Sequence, residues 1–221
     1  MGPKPSTAVT SDSNCQANLN LSTTKNTLSD SASLANVYFL LARLWSHEID
    51  APTLQQLVAD QVAEAYIETG GWLPTASEIN ESLIDSLAID FCRCFLGPKG
   101  HLPPHQSVVV SSRFQGDCCD SIKEYAKLID PPSLFTEQQR MVDHAAFLLT
   151  MMGKLHLDLQ ASIDLADDEA FRAIEDTRTE FFQQHVFWLI EYCVAATKRT
   201  QSDFFGGLFT VTEAFLRSEP S

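Results

Sequence analysis

MVDHAAFLLTMMGKLHLDL, Met141 to Leu159, is the stretch on which the fold turns. Met141, Ala145, Leu148, Met152, Leu155 and Leu159 recur at alternating steps of four and three. On an α-helix these positions stack into one continuous apolar seam. Such a seam has to be buried against other helices, and a capping pair at Thr136 and Gln139 marks its start.

Helical periods continue on both sides. Downstream, Asp167, Asp168 and Glu169 suit the positive end of a helix dipole. Behind them Phe171, Ile174, Phe181, His185, Trp188, Tyr192 and Ala195 form a second seam, closed by Lys198 and Arg199. A last helix spans Asp203 to Arg217, with Gly206-Gly207 open to a close neighbour. Upstream, Leu34, Val37, Leu41 and Leu44 line a helix that carries Tyr38, Phe39 and Trp45. Pro52-Thr53 begins another, with a Thr53–Gln56 capping pair, a face of Leu57, Val58 and Val62, and Gly70-Gly71 at its end. A Thr75–Glu78 pair starts the next, through Ile79, Leu83, Leu87 and Phe91 towards Leu96. A short helix from Asp117 to Ile129 stops at Pro131-Pro132. Strand-like alternation is confined to Val108-Val109-Val110. The predicted class is therefore all-α: a single domain of about seven or more helices over 31–221, behind a disordered polar tail at 1–30.

Composition excludes several functions. A net charge of −14, with 15 basic against 29 acidic residues, disfavours nucleic acid and favours cationic partners. No apolar run approaches the roughly 20 residues of a membrane span. The polar N-terminus lacks a secretory pattern, so a cytoplasmic protein without stable membrane insertion is expected. Cys92-x-Cys94 and Cys118-Cys119 lack the two- to four-residue spacers of structural zinc sites. Reduced, buried thiols and no bound metal are the expectation.

Three places carry candidate chemistry. The loop GPKGHLPPHQS, Gly97 to Ser107, pairs turn-permitting glycines with the stiff Pro103-Pro104, and should expose His101, His105 and Gln106. With the residues that follow, to 112, it exceeds the usual helix connector of about two to eight residues. Asp143-His144 reads as lying within the long helix, with His144 on the flank of the seam. His185 lies in the next seam, one turn before Trp188. No H-E-x-x-H, G-x-S-x-G or Walker loop is present, so nothing compels an enzyme. A small metal-dependent hydrolase using His101, His105 and His144 is the rival from another class, and a general peptide-binding adaptor is the nearer alternative.

These motifs resemble those of the TorD/DmsD family of cytoplasmic maturation chaperones for redox enzymes exported by the twin-arginine route. The similar residues are Asp90-Phe91, Phe95-Leu96-Gly97-Pro98, Pro103-Pro104 and Ser107, then Asp143-His144, then Glu180-Phe181, His185 and Trp188. They occur in order across about residues 34 to 216. The resemblance implies a chaperone that binds the twin-arginine signal peptide and the body of an unfinished molybdoenzyme, and delays export until the molybdenum cofactor is inserted. That cofactor belongs to the client. The family also includes weak guanine-nucleotide binders and domain-swapped dimers, so monomer and swapped homodimer both stand open. The implied client site comprises Asp143, His144, Gly97, Pro98, Pro103, Pro104, His105 and Ser107, with Phe147, Leu148 and Met151 as its apolar lining. His185, Trp188, Phe91 and Phe95 support it. His105 stands where members commonly carry an aromatic, and apolar Phe147-Leu148 follows Asp143-His144 where an acidic residue is usual. These differences bear on the client rather than on the family.

Overall fold

Asp50, Asn80, Asp167 and Ser202 each turn a side-chain oxygen onto the backbone N–H three residues on, at 2.9, 3.0, 2.9 and 3.2 Å, and a helix begins behind each. The computed structural model describes residues 31–60, 62–96, 101–130 and 141–219. The fold is all-α. Residues 31–46 form α1, followed by α2 (Ala51–Ala59), α3 (Ala63–Glu68) and α4 (Glu81–Phe91), which runs into a π-helical turn at Cys92–Leu96. Then come α5 (Gln106–Ser111), α6 (Cys118–Ile129), α7 (Ala145–Asp164) and α8 (Asp168–Phe181). A second π turn, Phe182–Val186, joins α8 to α9 (Trp188–Thr197), and α10 (Asp203–Arg217) closes the order. Among the described residues no helix is long and apolar enough to cross a membrane.

Several expectations change in detail. The helix expected from Pro52 to Gly70 is two helices. Asp60 turns extended at the end of α2, and its carboxylate accepts from Val62 N at 3.1 Å. That local bond competes with helix continuation. The cap of α2 is Asp50 rather than Thr53. Glu78 does accept from Thr75 N and Oγ1, at 2.7 and 2.9 Å, but this pair closes a turn and α4 starts later, behind Asn80. Val108-Val109-Val110 is helical, inside α5. The expected tail at 1–30, the Thr136–Gln139 cap and the Pro131-Pro132 stop lie outside the described residues.

Trp45 sits near the centre of the core. It packs against Phe95, Tyr192 and Phe209, and donates its indole N–H to Thr212 Oγ1 at 3.0 Å. Phe91 and Phe95 join the same aromatic cluster through Phe205. Gly207 lets α10 pass close to the turn after α3: a Cβ there would meet Trp72 N at 2.5 Å and Gly71 Cα at 2.9 Å. Asp90 fastens the start of α10, accepting from Ser202 N, Ser202 Oγ and Thr200 Oγ1 at 3.0, 2.7 and 2.8 Å. At the far end of the fold Glu219 is clasped by Tyr38 OH at 2.7 Å, by His156 Nε2 at 3.0 Å and by the buried Arg178 guanidinium. This binds the segment after α10 to α1, α7 and α8.

Candidate functional site

The site begins with a turn. Asp143-His144 precedes α7 instead of lying within it. His144 has extended backbone (φ −71°, ψ 137°), and its Nδ1 accepts from Ala146 N at 3.1 Å, which makes it the N-cap. An accepting Nδ1 assigns the neutral ring with its proton on Nε2. Burial lowers the pKa of His144 to about 3; the neighbouring His105 ring adds to this and Asp143 opposes it. The seam read from Met141 thus starts one turn later, at Ala145, and the cap replaces its first step.

The proline-bearing loop crosses this turn. Leu102 N donates to Cys94 O at 2.8 Å, and Tyr192 OH donates to Leu102 O. Pro104 O accepts from Ala145 N at 2.8 Å and Asp143 O from Gln106 N at 3.0 Å, so His105 and His144 pair as an isolated antiparallel bridge. Prolines lack an N–H, and this loop uses its carbonyls instead. Ser107 N and Oγ both donate to Asp143 Oδ2, at 3.0 and 2.5 Å, while His105 Nδ1 lies 3.4 Å from Oδ1. Asp143 and Ser107 are both 0% exposed. Burial raises the pKa of Asp143, but the hydrogen bonds from His105 and Ser107 outweigh it and hold the carboxyl at about 2.

Gln106 brings in the third segment. Its Nε2 donates to Gln184 O at 2.7 Å, and its Oε1 lies 3.0 Å from His185 Nδ1. His185 Nε2 is 2.9 Å from Ser121 Oγ. With Gln106 Oε1 as an acceptor, Nδ1 carries the proton of His185 and Nε2 accepts from Ser121. Burial lowers the pKa of this ring to about 4, against the pull of Glu180. Both carbonyls involved lie in the second π turn: Gln184 O takes Gln106, and His185 O takes the indole N–H of Trp188 at 2.7 Å. Such turns free carbonyls from the regular ladder and recur at functional sites.

All three motifs thus meet at one place, through Ser107 and Gln106. Gln106 was expected on the surface and is buried; its anchoring role had no signal beyond its position beside Ser107. Leu148 and Met151, expected in an open groove, are 0% exposed and belong to the core. Phe147 is half-buried. The exposed apolar residues beside the site are Val109, Val110 and Phe114, and the Phe114 ring lies 5.9 Å from that of His105. Their signal in the sequence was the valine run, read there as strand-like. Phe91 and Phe95 are core residues, and Gly97 and Pro98 lie outside the described residues. Among the described residues, the group with metal-ligand geometry is Cys118, Cys119 and Asp143, which includes none of His101, His105 and His144.

A family model described as nitrate reductase delta subunit matches residues 54–193, which include the 105–107, 143–144 and 185–188 segments. No curated protein and no solved structure matches the chain.

Proposed function

The chain belongs to the nitrate reductase delta subunit family, a family of redox-enzyme maturation chaperones, and from that premise we propose that it is a cytoplasmic, non-catalytic chaperone for an exported molybdoenzyme. Its client segment is the twin-arginine signal peptide. The observation that carries this reading is that the 105–107 loop bonds both the buried Asp143 carboxylate, through Ser107 and His105, and His185, through Gln106.

Among the described residues, Asp143 Oδ2 is occupied by Ser107, whereas Oδ1 takes the longer His105 contact. A guanidinium from the client replaces His105 there, exchanging a long imidazole contact for a charge-assisted one. Exposed Asp117 and Glu180 flank the same face. Asp117 follows Gly116, which packs on Ser107, and Glu180 accepts from Gln184 Nε2 at 2.9 Å. Val109, Val110 and Phe114, with half-buried Phe147, take the apolar part of the signal peptide. The charge of −14 favours encounter with a cationic segment. In this reading the molybdenum cofactor belongs to the client. A weakly bound guanine nucleotide, and a monomer or a domain-swapped dimer, are compatible with it.

Calorimetric titration with a synthetic twin-arginine peptide, and with the same peptide carrying two glutamines, tests the reading. The glutamine peptide should bind at least about tenfold more weakly, since a hydrogen-bonded charge contributes about 1.5–3 kcal/mol. Equal affinities would reduce the protein to a general peptide-binding adaptor.

A further inference from the structure

We propose that Cys118, Cys119 and Asp143 form a binding site for one thiophilic divalent cation of the zinc class. The two thiols open α6, and Asp143 comes from the turn before α7. Both sulfurs and one carboxylate oxygen lie within 4.8 Å of one another. Zinc bonds of about 2.3 Å to sulfur and about 2.0 Å to oxygen set ligand atoms roughly 3.5–3.8 Å apart in a tetrahedral shell. From within 4.8 Å the three donors have to close by no more than about 1.3 Å to reach that spacing.

The surroundings suit a metal ligand set. Asp143 is aimed by two hydrogen bonds from Ser107, as ligating carboxylates are oriented by their own partners. The cysteines lie in the first turn of α6, whose dipole partly offsets the cost of the thiolates that a metal requires. Metal binding requires the thiolate form, so it displaces the thiol protons. Two sulfur ligands select zinc or cadmium over magnesium or calcium. Half-buried Cys118 gives access, and three protein ligands leave a fourth position for water or a donor from a partner. The proposal rests on this ligand geometry; because Asp143 is also the carboxylate assigned to the client arginine, metal and client peptide would compete for it, and the metal is therefore titrated without peptide.

Cadmium is the probe. The full-length chain, reduced and stripped of metal, is titrated while ultraviolet sulfur-to-metal charge-transfer absorption and proton release are followed. The band should saturate at one equivalent, with protons released. Cys118→Ser should weaken binding by more than about tenfold, since losing an outer-shell partner alone costs 10–100-fold. Cys92→Ser, at a thiol paired with Glu48 elsewhere, should bind as the parent chain does. Because Cys118 is partly exposed, its serine variant is expected to fold, and circular dichroism checks this. Absence of the band at one equivalent, or undiminished affinity in Cys118→Ser, would overturn the proposal.

Discussion

Asp143 is a fully covered carboxyl that nevertheless stays ionised, because Ser107 and His105 compensate for the water it has lost. Its folded pKa of about 2 lies below the ordinary 3.8. Its contribution to stability is therefore complete above 3.8 and is lost as pH falls towards 2. His144 and His185 act in the same direction by a different route. The folded state holds both rings neutral, with pKa values of about 3 and about 4 against an ordinary 6.5. Below 6.5 the unfolded chain takes up protons that the folded chain refuses, so stability falls progressively from there. In urea titrations from pH 7 to pH 4, the unfolding midpoint should decrease steadily. His144→Asn keeps a cap acceptor for Ala146 N and removes one titrating ring. It should cost less than about 1 kcal/mol at pH 7 and flatten the decline below pH 6.5. A pH profile parallel to that of the parent chain would show that His144 is not held neutral. The Asp143-His144 pair was legible in the sequence, but its position was not. Met141 keeps step with the seam, while the turn is set by the carbonyl of Pro104, distant in the chain.

At the scale of elements, seam periodicity located the helices well, and the errors arose where the backbone leaves the α ladder. The seam read as Phe181, His185, Trp188, Tyr192 and Ala195 assumes unbroken α-helix. The π turn at Phe182–Val186 inserts an extra residue, with Phe187 N bonding to Phe182 O at 2.9 Å. After the turn Tyr192 is buried as expected, but Leu189, Cys193 and Ala196 are buried with it, Trp188 is half-buried and Ala195 is exposed. A side-chain period cannot reveal such a shift, because either register presents apolar residues. The double glycines were more informative, although within the Gly206-Gly207 pair only Gly207 needs to lack a side chain. Gly207→Ala drives a Cβ into backbone and should cost about 1–3 kcal/mol. At Gly206 the nearest obstacle is a methyl 3.5 Å away, so Gly206→Ala should be neutral or stabilise by up to about 1 kcal/mol. Thermal unfolding of the two variants distinguishes them, and equal losses would contradict the close approach of α10 to Trp72.

Across the whole molecule, long-range polar contacts join what local pattern cannot. Tyr38, His156, Arg178 and Glu219 are scattered through the sequence, yet they meet in one buried cluster. Glu219→Gln removes one of the carboxylates that Arg178 bonds, while Glu175 stays paired with it at 2.8 and 3.0 Å, and should destabilise by about 1–3 kcal/mol in urea unfolding. A change within 0.5 kcal/mol, the range of ordinary surface positions, would show that the segment after α10 is not fastened by this charge. The fold class and the order of the helices were readable from apolar spacing, and three of the site's segments from their motifs. Their meeting point was not readable, because it depends on Ser107 and Gln106 reaching across the fold. The central claim is that a client arginine is read by the Asp143 carboxylate. A double-mutant cycle tests it directly, with Asp143→Asn on the chain, arginine to glutamine on the peptide, and affinities for all four combinations. The account expects a coupling above about 1 kcal/mol between the two sites. Additive losses, with no coupling, would contradict it.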